Sequence, residues 1–247
     1  MVATLARPEA RNAIDERLAD ALLATLDDLP EDVGALVLTG AGDRAFSAGA
    51  ALRRMTELEG DALERFLAST SRLFHSIAEL PIATIAAVNG HAHGAGAEIA
   101  CACDLRIGCP GATFRFPGVR YGLPVGTWHL PGLVGLGKAK ELLLTARIVE
   151  AEEASRIGLL QRLVPRERLL PEAVSLGESI AIHPQDAVAV IKALLAEGPS
   201  GPIGGQGSTG SIGERMDREH AARNRAPLRG RARELMGGVL GEKRSKE

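Results

Sequence analysis

Continuous apolar runs alternate with helically spaced apolar stripes along the first half of the chain. The runs predict short buried strands at 2–5, 35–39, 82–88 and 105–108. A stripe of leucines follows Asp15, a residue type that caps helices, and ends at Pro30, so we expect a helix between them. A second stripe continues to residue 80, and the D-x-x-E pair of Asp61 and Glu64 predicts where that helix begins.

In the second half of the chain, a segment rich in glycine and proline is followed by helical patterns and then by another glycine-rich segment. Seven glycines between 111 and 137 predict an irregular segment close to a ligand. Helical patterns follow at 138–145, 151–157, 166–182 and 184–197. The glycine-rich stretch 198–213 predicts a mobile loop. The charged tail at 214–247 has too few apolar positions for a helix that is stable alone, so we expect it to pack on another subunit or on the body of the protein.

The stretch 88–104, VNGHAHGAGAEIACACD, joins an apolar run to a helix of small residues through a glycine-rich turn. The first N–H groups of a helix have no partners within it and point at whatever lies in front. Small residues at 94–96 would let a substrate atom approach those donors, with Glu98 within reach in the first turn. Fixed donors suit a charge that develops during reaction, such as the oxyanion of an enolised thioester. The alternative is a turn that only permits close packing.

A second small-residue turn, around residues 48–50, precedes another helical segment within AFSAGAALRRM at 45–55. This turn can present a backbone N–H of its own. Two N–H groups from separate turns that converge on one oxygen fix its position as well as stabilise its charge. The two turns together therefore predict an oxyanion hole, whereas for either turn alone an ordinary connection that permits close packing would be the preferred interpretation.

Cysteines and histidines near the first turn raise the question of a metal site. Cys101, Cys103 and Cys109 lie close to His91 and His93 in the sequence. If 94–103 is a helix, Cys101 and Cys103 are two residues apart and cannot face one ligand. We therefore expect buried reduced thiols, with no metal ion and no structural disulfide.

Composition limits the classes of partner. A net charge of -2 over 247 residues predicts no nucleic-acid surface. Charged residues throughout the first thirty positions exclude the apolar core of a signal peptide, and no apolar run reaches membrane-spanning length. We expect a soluble, cytoplasmic protein with no membrane partner, in which one domain at 1–195 precedes a C-terminal extension at 196–247.

Four ordered blocks of the sequence resemble the enoyl-CoA hydratase/isomerase family, also called the crotonase family. They are RPEARNAI (7–14), ALVLTGAGDRAFSAGA (35–50), PIATIAAVNGHAHGAGAEIACACDLRIG (81–108) and EAEEASRIGLLQRLV (150–164). The resemblance implies an α/β fold, a crotonase-like spiral of ββα units, with 1–195 as the acyl-CoA-binding core. It also implies a C-terminal helical region that builds homotrimers or hexamers, and an acyl-CoA thioester as substrate with no tightly bound cofactor.

Carried over by position, the resemblance gives roles to individual residues. The N–H groups of Ala50 and Ala95 form the oxyanion hole for the thioester carbonyl, and Glu98 matches the first of two family glutamates. The residues that match the coenzyme A-binding segments are Phe46, Ala48, Ala51, Leu52 and Gly94.

The sequence departs from the family pattern at several of these positions. The second glutamate follows a Phe-x-x-Pro pattern in relatives, and here Gly118 stands in its place. Ala95 replaces a common glycine, Ala51 replaces a frequent aspartate, and the segment after Gly122 is about three residues shorter. These departures bear on the reaction more than on the family.

One carboxylate restricts the chemistry that we expect. Hydration requires a base that activates water for addition at C3 and an acid that protonates C2, and two carboxylates supply these functions best. Glu98 alone can remove and return a proton, which favours isomerase-like chemistry or slow hydration. His93 is the strongest candidate for a replacement group, ahead of His91 and His129. The alternatives are a decarboxylase or hydrolase of the same family and a catalytically silent acyl-CoA-binding subunit.

Overall fold

The computed structural model describes residues 1–123 and 126–196. The chain divides into two compact units, Met1–Ile182 and His183–Glu247, and only 183–196 of the second unit is described. The predicted loop at 198–213 and the predicted tail lie outside the described residues. The domain boundary after residue 195 stays a prediction.

Strands and helices follow one another throughout the first unit. The strands are β1 (Val2–Leu5), β2 (Ala35–Gly40), β3 (Ala45–Ser47), β4 (Ala83–Val88), β5 (His91–His93), β6 (Leu105–Gly108), β7 (Thr113–Arg115), β8 (Ile148–Glu150) and β9 (Arg162–Leu163). The helices are α1 (Glu16–Asp27), α2 (Leu52–Glu57), α3 (Gly60–Glu79), α4 (Ala95–Ala102), α5 (Leu130–Val134), α6 (Leu136–Thr145), α7 (Ala151–Arg156) and α8 (Arg166–Ala181). The second unit contributes α9 (Gln185–Ala196). Each strand and helix that the apolar pattern predicts is therefore confirmed.

The strands form two sheets. The larger has the order β1-β2-β4-β6-β9, and every neighbouring pair in it is parallel. The smaller has the order β3-β5-β7-β8, in which only the β7–β8 pair is antiparallel. The predicted α/β class is confirmed, with parallel pairing dominant in both sheets.

The larger sheet is covered on both faces by apolar side chains. On one face Val37, Ile85 and Ile107 pack with Leu169 of α8. On the other face Ala86 belongs to the main core, which also contains side chains of α1, α3 and α4. Strand β4 is consequently buried along its whole length, as its continuous apolar sequence predicts.

The two predicted helix starts have different outcomes. Asp15 caps α1, because its Oδ1 accepts a hydrogen bond from the Leu18 N–H at 3.0 Å. The prediction that the D-x-x-E pair of Asp61 and Glu64 begins α3 is wrong. This helix begins at Gly60, whose φ is 49°, and the N-cap residue Glu59 makes no side-chain capping bond. Asp61 therefore lies inside the first turn instead of before it.

The segment 111–137 is more regular than its glycines predict. It contains β7, a 3-10 turn at Gly118–Tyr121 and helix α5. Strand β7 pairs with β5 in the register His91 to Thr113, and β5 was also missed by the apolar pattern. Three-residue strands carry almost no periodic signal, so their existence depends on pairing with distant strands.

The cysteines are buried thiols, as predicted. Cys101 belongs to α4 and Cys103 is its C-cap residue. Cys109 follows β6 and packs on the opposite face of the larger sheet, with its Sγ 3.8 Å from the Val88 carbonyl oxygen. These thiols contribute to the core.

Helix α8 lies close against the larger sheet. A methyl group placed on Gly177 would lie 3.3 Å from the Ala35 Cβ and 3.4 Å from the Ile85 Cδ1, so the glycine permits this approach.

Taken singly, none of the helices among residues 1–123 and 126–196 has both the length and the apolarity to cross a membrane.

Candidate active site

The turn after β3 presents the backbone N–H of Ala50. The Gly49 carbonyl accepts a hydrogen bond from the Ile14 N–H at 2.8 Å, and the Ala51 N–H donates to the Ile14 carbonyl at 2.8 Å. In a trans peptide the N–H points opposite to the C=O, so the Ala50 N–H points away from Ile14. No acceptor for it lies among the described residues.

The turn after β5 presents the N–H of Ala95 in the same way. Gly94, with φ of 51°, is the N-cap residue of α4, and its carbonyl accepts from the Glu98 N–H at 3.0 Å. That carbonyl points along the helix, so the N–H of the same peptide unit points out of the helix N-terminus. Within the part of the chain that the structure describes, the Ala95 N–H also has no acceptor.

The two turns are in direct contact, although they are 45 positions apart. A methyl group on Gly49 would lie 2.5 Å from the His93 carbonyl oxygen and 3.2 Å from the Ala95 nitrogen. A methyl group on Gly96 would lie 2.3 Å from the Ser47 carbonyl oxygen. Glycine is therefore required at both contacts, which hold the turn that carries Ala50 against the turn that carries Ala95. The convergence of the two N–H groups on one oxygen stays a prediction.

Glu98 is a buried carboxyl group on the first turns of α4. Its side chain is 5% exposed, and its Oε1 has no hydrogen-bond partner among the described residues. Burial raises the pKa of this carboxyl to about 7. Close to it lies Gly126, where a methyl group would be 3.0 Å from Oε1 and 3.4 Å from the Phe116 ring. The group can therefore exist in both protonation states near neutral pH.

The position of the missing glutamate also lies near the first helix turn. Pro117 packs against Gly94, since a methyl group on that glycine would be 3.9 Å from the proline ring. Gly118 follows as the first residue of the 3-10 turn and is buried. The position at which the family resemblance implies a second glutamate therefore lies next to the residue that packs against Gly94, and it carries no carboxylate.

The histidines of β5 share one hydroxyl group. His91 Nδ1 and His93 Nε2 lie 2.8 Å and 2.9 Å from the Thr113 Oγ1. Burial, followed by the charges of His91 and Arg115, lowers the pKa of His93 to about 4. His93 is therefore a neutral ring whose Nε2 is engaged by the sheet. Its role as a replacement for the missing glutamate stays a prediction.

Arg106 is a buried cation that the sequence reasoning left without a role. Its five N–H donors reach the Leu159, Ala100, Cys103 and Asp104 carbonyls and the Gln161 side chain, at 2.7–3.3 Å. Two of these carbonyls lie at the C-terminal end of α4, where a positive charge is favourable. The signal that could have predicted a buried arginine hydrogen-bonded to backbone carbonyls is its position inside the apolar strand LRIG at 105–108. The neighbouring Asp104 accepts hydrogen bonds at its Oδ2 from the N–H and the hydroxyl of Thr84, at 2.7 Å and 2.9 Å.

A pocket of about 750 Å³ opens beside the Ala50 turn, and Ala51 and Leu52 line it. Its cations include Arg7, which pairs with Asp15, and Arg54, which pairs with Glu16. The remaining lining cations, for which no carboxylate partner occurs in the described ranges, are Arg17 and Arg53. The sequence reasoning missed them, because charge on an exposed helix face is ordinary.

The other residues predicted to contact coenzyme A lie in different surroundings. Phe46 is fully buried in the main core, so its side chain does not reach the pocket surface. Ala48 is exposed and Gly94 is half-buried, and both belong to the two contacting turns.

Sequence and fold comparisons identify similar proteins. The chain matches the family model described as enoyl-CoA hydratase/isomerase over residues 1–203. It is 40% identical over 199 residues to the crotonyl-CoA hydratase of Syntrophomonas wolfei, covering 78% of this chain and 76% of that protein. It is 36% identical over 202 residues to the short-chain-enoyl-CoA hydratase of Clostridium acetobutylicum, covering 80% and 77%. The fold is similar to that of an enoyl-CoA hydratase from Bacillus anthracis, with a TM-score of 0.81, 29% identity and coverage of 90% and 84%.

Proposed function

Because this chain belongs to the enoyl-CoA hydratase/isomerase (crotonase) family, we propose that it acts on acyl-CoA thioesters by enolate chemistry, with Glu98 as the proton carrier. The observation that carries the proposal is a buried Glu98, whose Oε1 has no partner among the described residues, on the helix that Ala95 begins. The N–H groups of Ala95 and of Ala50 in the contacting turn have no acceptor among those residues either. A carboxyl with a pKa of about 7 is suited to accept and return a proton near neutral pH.

The first step concerns the thioester carbonyl. The N–H groups of Ala50 and Ala95 bind its oxygen and stabilise the negative charge that develops when a proton leaves C2. Both peptide units are held by internal hydrogen bonds, so the donors need no reorganisation as the charge appears.

The second step is proton transfer. With a 3-enoyl thioester, the Glu98 carboxylate removes a proton from C2, and the electron pair of that C–H bond forms a dienolate. The protonated Glu98 returns the proton to C4, the double bond moves into conjugation, and the carboxylate is regenerated. One carboxyl group completes this cycle. Hydration of a 2-enoyl thioester needs water activated as well, and with Gly118 at the second position we expect hydration to be slower.

The pocket beside Ala50 supports a coenzyme A substrate. Ala51 and Leu52 continue directly from the oxyanion turn into this pocket. The side chains of Arg17 and Arg53 supply positive charge to phosphate groups, while Arg7 and Arg54 are already paired with carboxylates.

Assembly into homotrimers or hexamers is also part of the proposal. Helix α9 has no buried residue, and its apolar side chains include Ile191 at 57% and Leu195 at 73% exposure. Exposed apolar residues of this kind favour a protein partner. Sedimentation as a monomer would contradict this part.

The direct test is turnover of a 3-enoyl-CoA and of crotonyl-CoA by the native protein, by Glu98→Gln and by the matched control Glu141→Gln. We expect Glu98→Gln to lose about 10²–10⁴ in kcat, and the control, whose carboxylate is paired on the surface, to keep full activity. Full activity of Glu98→Gln would contradict the proposal. Binding without turnover would favour a silent subunit, and release of coenzyme A instead of isomerisation would favour the hydrolase. Release of carbon dioxide from a thioester that carries a carboxylate on C2, such as a malonyl-type coenzyme A thioester, would favour the decarboxylase.

A further inference from the structure

Ser47 is a fully buried polar residue at the end of β3, two positions before Gly49. Its hydroxyl donates a hydrogen bond to the Asn12 carbonyl at 2.7 Å and accepts one from the Gly49 N–H at 3.2 Å. The hydroxyl therefore holds the peptide unit that comes immediately before the Gly49–Ala50 unit.

The same residue also supports the other turn. Gly96, in the first turn of α4, lies so close that a methyl group on it would be 2.3 Å from the Ser47 carbonyl oxygen and 2.7 Å from its Cβ. The start of α4, which carries the Ala95 N–H, therefore rests on Ser47 as well.

Ser47 is itself anchored to a rigid frame. Asn12, which accepts its hydroxyl, is fully buried, and the Asn12 amide donates to the Ala41 and Ala45 carbonyls at 3.0 Å and 2.8 Å. The Asn12 Oδ1 accepts from the Arg7 N–H at 3.0 Å. Displacement of the Ser47 hydroxyl would therefore break a connected network of buried hydrogen bonds.

We infer that Ser47 is a positioning residue that sets the separation of the two oxyanion donors, through the Gly49 N–H on one side and the Gly96 contact on the other. This inference rests on the proposed function. A buried serine with a purely structural role would change stability alone, whereas a positioning residue changes how strongly a bound carbonyl is polarised.

The test compares Ser47→Ala and Ser47→Cys with the control Thr39→Val. Thr39 also donates a hydroxyl hydrogen bond to a carbonyl, that of Ala87 at 3.0 Å, but it does so between β2 and β4 and away from the turns. The readouts are kcat and KM for a 3-enoyl-CoA, and the absorption of a bound aryl-enoyl-CoA. The absorption of this conjugated thioester moves to longer wavelength when its carbonyl is polarised.

We expect Ser47→Ala to lower kcat about tenfold, to leave KM nearly unchanged and to reduce the absorption shift. Ser47→Cys should recover part of both, because a thiol still donates and accepts weakly. Thr39→Val should change neither. A full absorption shift and native kcat in Ser47→Ala would overturn the inference, as would equal effects of Ser47→Ala and Thr39→Val.

Amide hydrogen exchange of the native protein gives a test that does not depend on whether a variant folds. The Gly49 amide should exchange with deuterium slowly, because the Ser47 hydroxyl accepts its hydrogen, and rapid exchange would also overturn the inference. If the native protein neither polarises nor turns over any thioester, the proposed function fails. Native turnover together with an unaffected Ser47→Ala defeats only the positioning role.

Discussion

Helices α4 and α6 begin alike and differ at their glutamates. Each follows a glycine with positive φ, Gly94 at 51° and Gly135 at 77°. Glu98 of α4 is buried without a partner for Oε1 among the described residues, and burial raises its pKa to about 7. Glu141 of α6 accepts a hydrogen bond from Arg147 at 2.6 Å, and that bond is the main cause that lowers its pKa to about 2.

The difference teaches what each environment does with a carboxyl group. A cationic partner in water keeps Glu141 ionised throughout the physiological range, so it contributes to surface ion pairs and carries no proton. Burial, with no partner for Oε1 among the described residues, leaves Glu98 able to change protonation state near pH 7. Helix α4 is buried from Gly96 to Ala102, and this burial produces the difference.

Substitution by proline at the first position of each helix should give the largest difference in kcat between α4 and α6. Ala95→Pro deletes the proposed donor, while the first helical position tolerates proline. We expect kcat to fall about 10²–10³. Leu136→Pro, at the matching position of α6, should leave kcat unchanged. Steady-state kinetics with thermal melts of both variants measure this, and equal losses would refute the donor role of Ala95.

The pH dependence of stability should differ in sign between the two glutamates. Glu98 has a raised pKa in the folded state, so its contribution is fully present below pH 4.5 and is lost as the pH rises through 7. As the pH rises from 4.5 to 7, the free energy of unfolding of Glu98→Gln should therefore increase relative to that of the native protein by about 3 kcal/mol. This figure takes about 1.4 kcal/mol for each tenfold change in proton affinity.

Glu141 has a lowered pKa, so its contribution is present above pH 4.5 and is lost as the pH falls toward 2. Glu141→Gln should be the less stable protein at neutral pH, with a difference that shrinks in acid. Urea unfolding across this pH range measures both variants. A flat difference between Glu98→Gln and the native protein would refute the raised pKa.

A methyl group beside Glu98 should have a smaller effect. In Gly126→Ala the methyl would meet Glu98 Oε1 at 3.0 Å and the Leu143 side chain at 2.6 Å, so the carboxyl must shift. We expect kcat to fall about tenfold. Gly122→Ala is the matched control, because Gly122 also has positive φ, at 68°, with no atom within 4 Å of the added methyl. If the two variants behave alike, backbone strain and not the position of Glu98 decides the result.

Charge in the pocket should have the smallest effect. Arg53→Ala and Arg17→Ala should each raise KM for a coenzyme A thioester several-fold, because each exposed arginine contributes about 1 kcal/mol to a phosphate contact. KM for the matching pantetheine thioester, which lacks the nucleotide phosphates, should not change. Arg72→Ala, on an exposed position of α3 outside the pocket lining, is the control. Equal changes with both substrates would contradict a phosphate contact.

The sequence predicts the parts of this molecule that carry long or repeated signals. The apolar run of β4, the capping residue Asp15 and the glycine turns before α4 were each identified correctly. The family resemblance predicted the crotonase fold, which structural relatives confirm.

Features that depend on distant contacts could not be predicted. The three-residue strands β5 and β7 exist because they pair with each other, and the start of α3 depends on the conformation of Gly60. The pKa of Glu98 depends on its burial, to which the distant Gly126 segment lies close, and no local pattern reports this contact. The network from Asn12 through Ser47 to Gly49 likewise joins two separate stretches of chain.

The most direct test of one-carboxyl enolate chemistry is hydrogen exchange at C2 of butanoyl-CoA in deuterium oxide, followed by proton nuclear magnetic resonance. This saturated thioester can be neither hydrated nor isomerised, so exchange reports enolate formation alone. We expect the native protein to exchange the C2 protons, Glu98→Gln to leave them unexchanged, and Glu141→Gln to match the native protein. Absence of exchange with the native protein bound to the thioester, or undiminished exchange with Glu98→Gln, would contradict this chemistry.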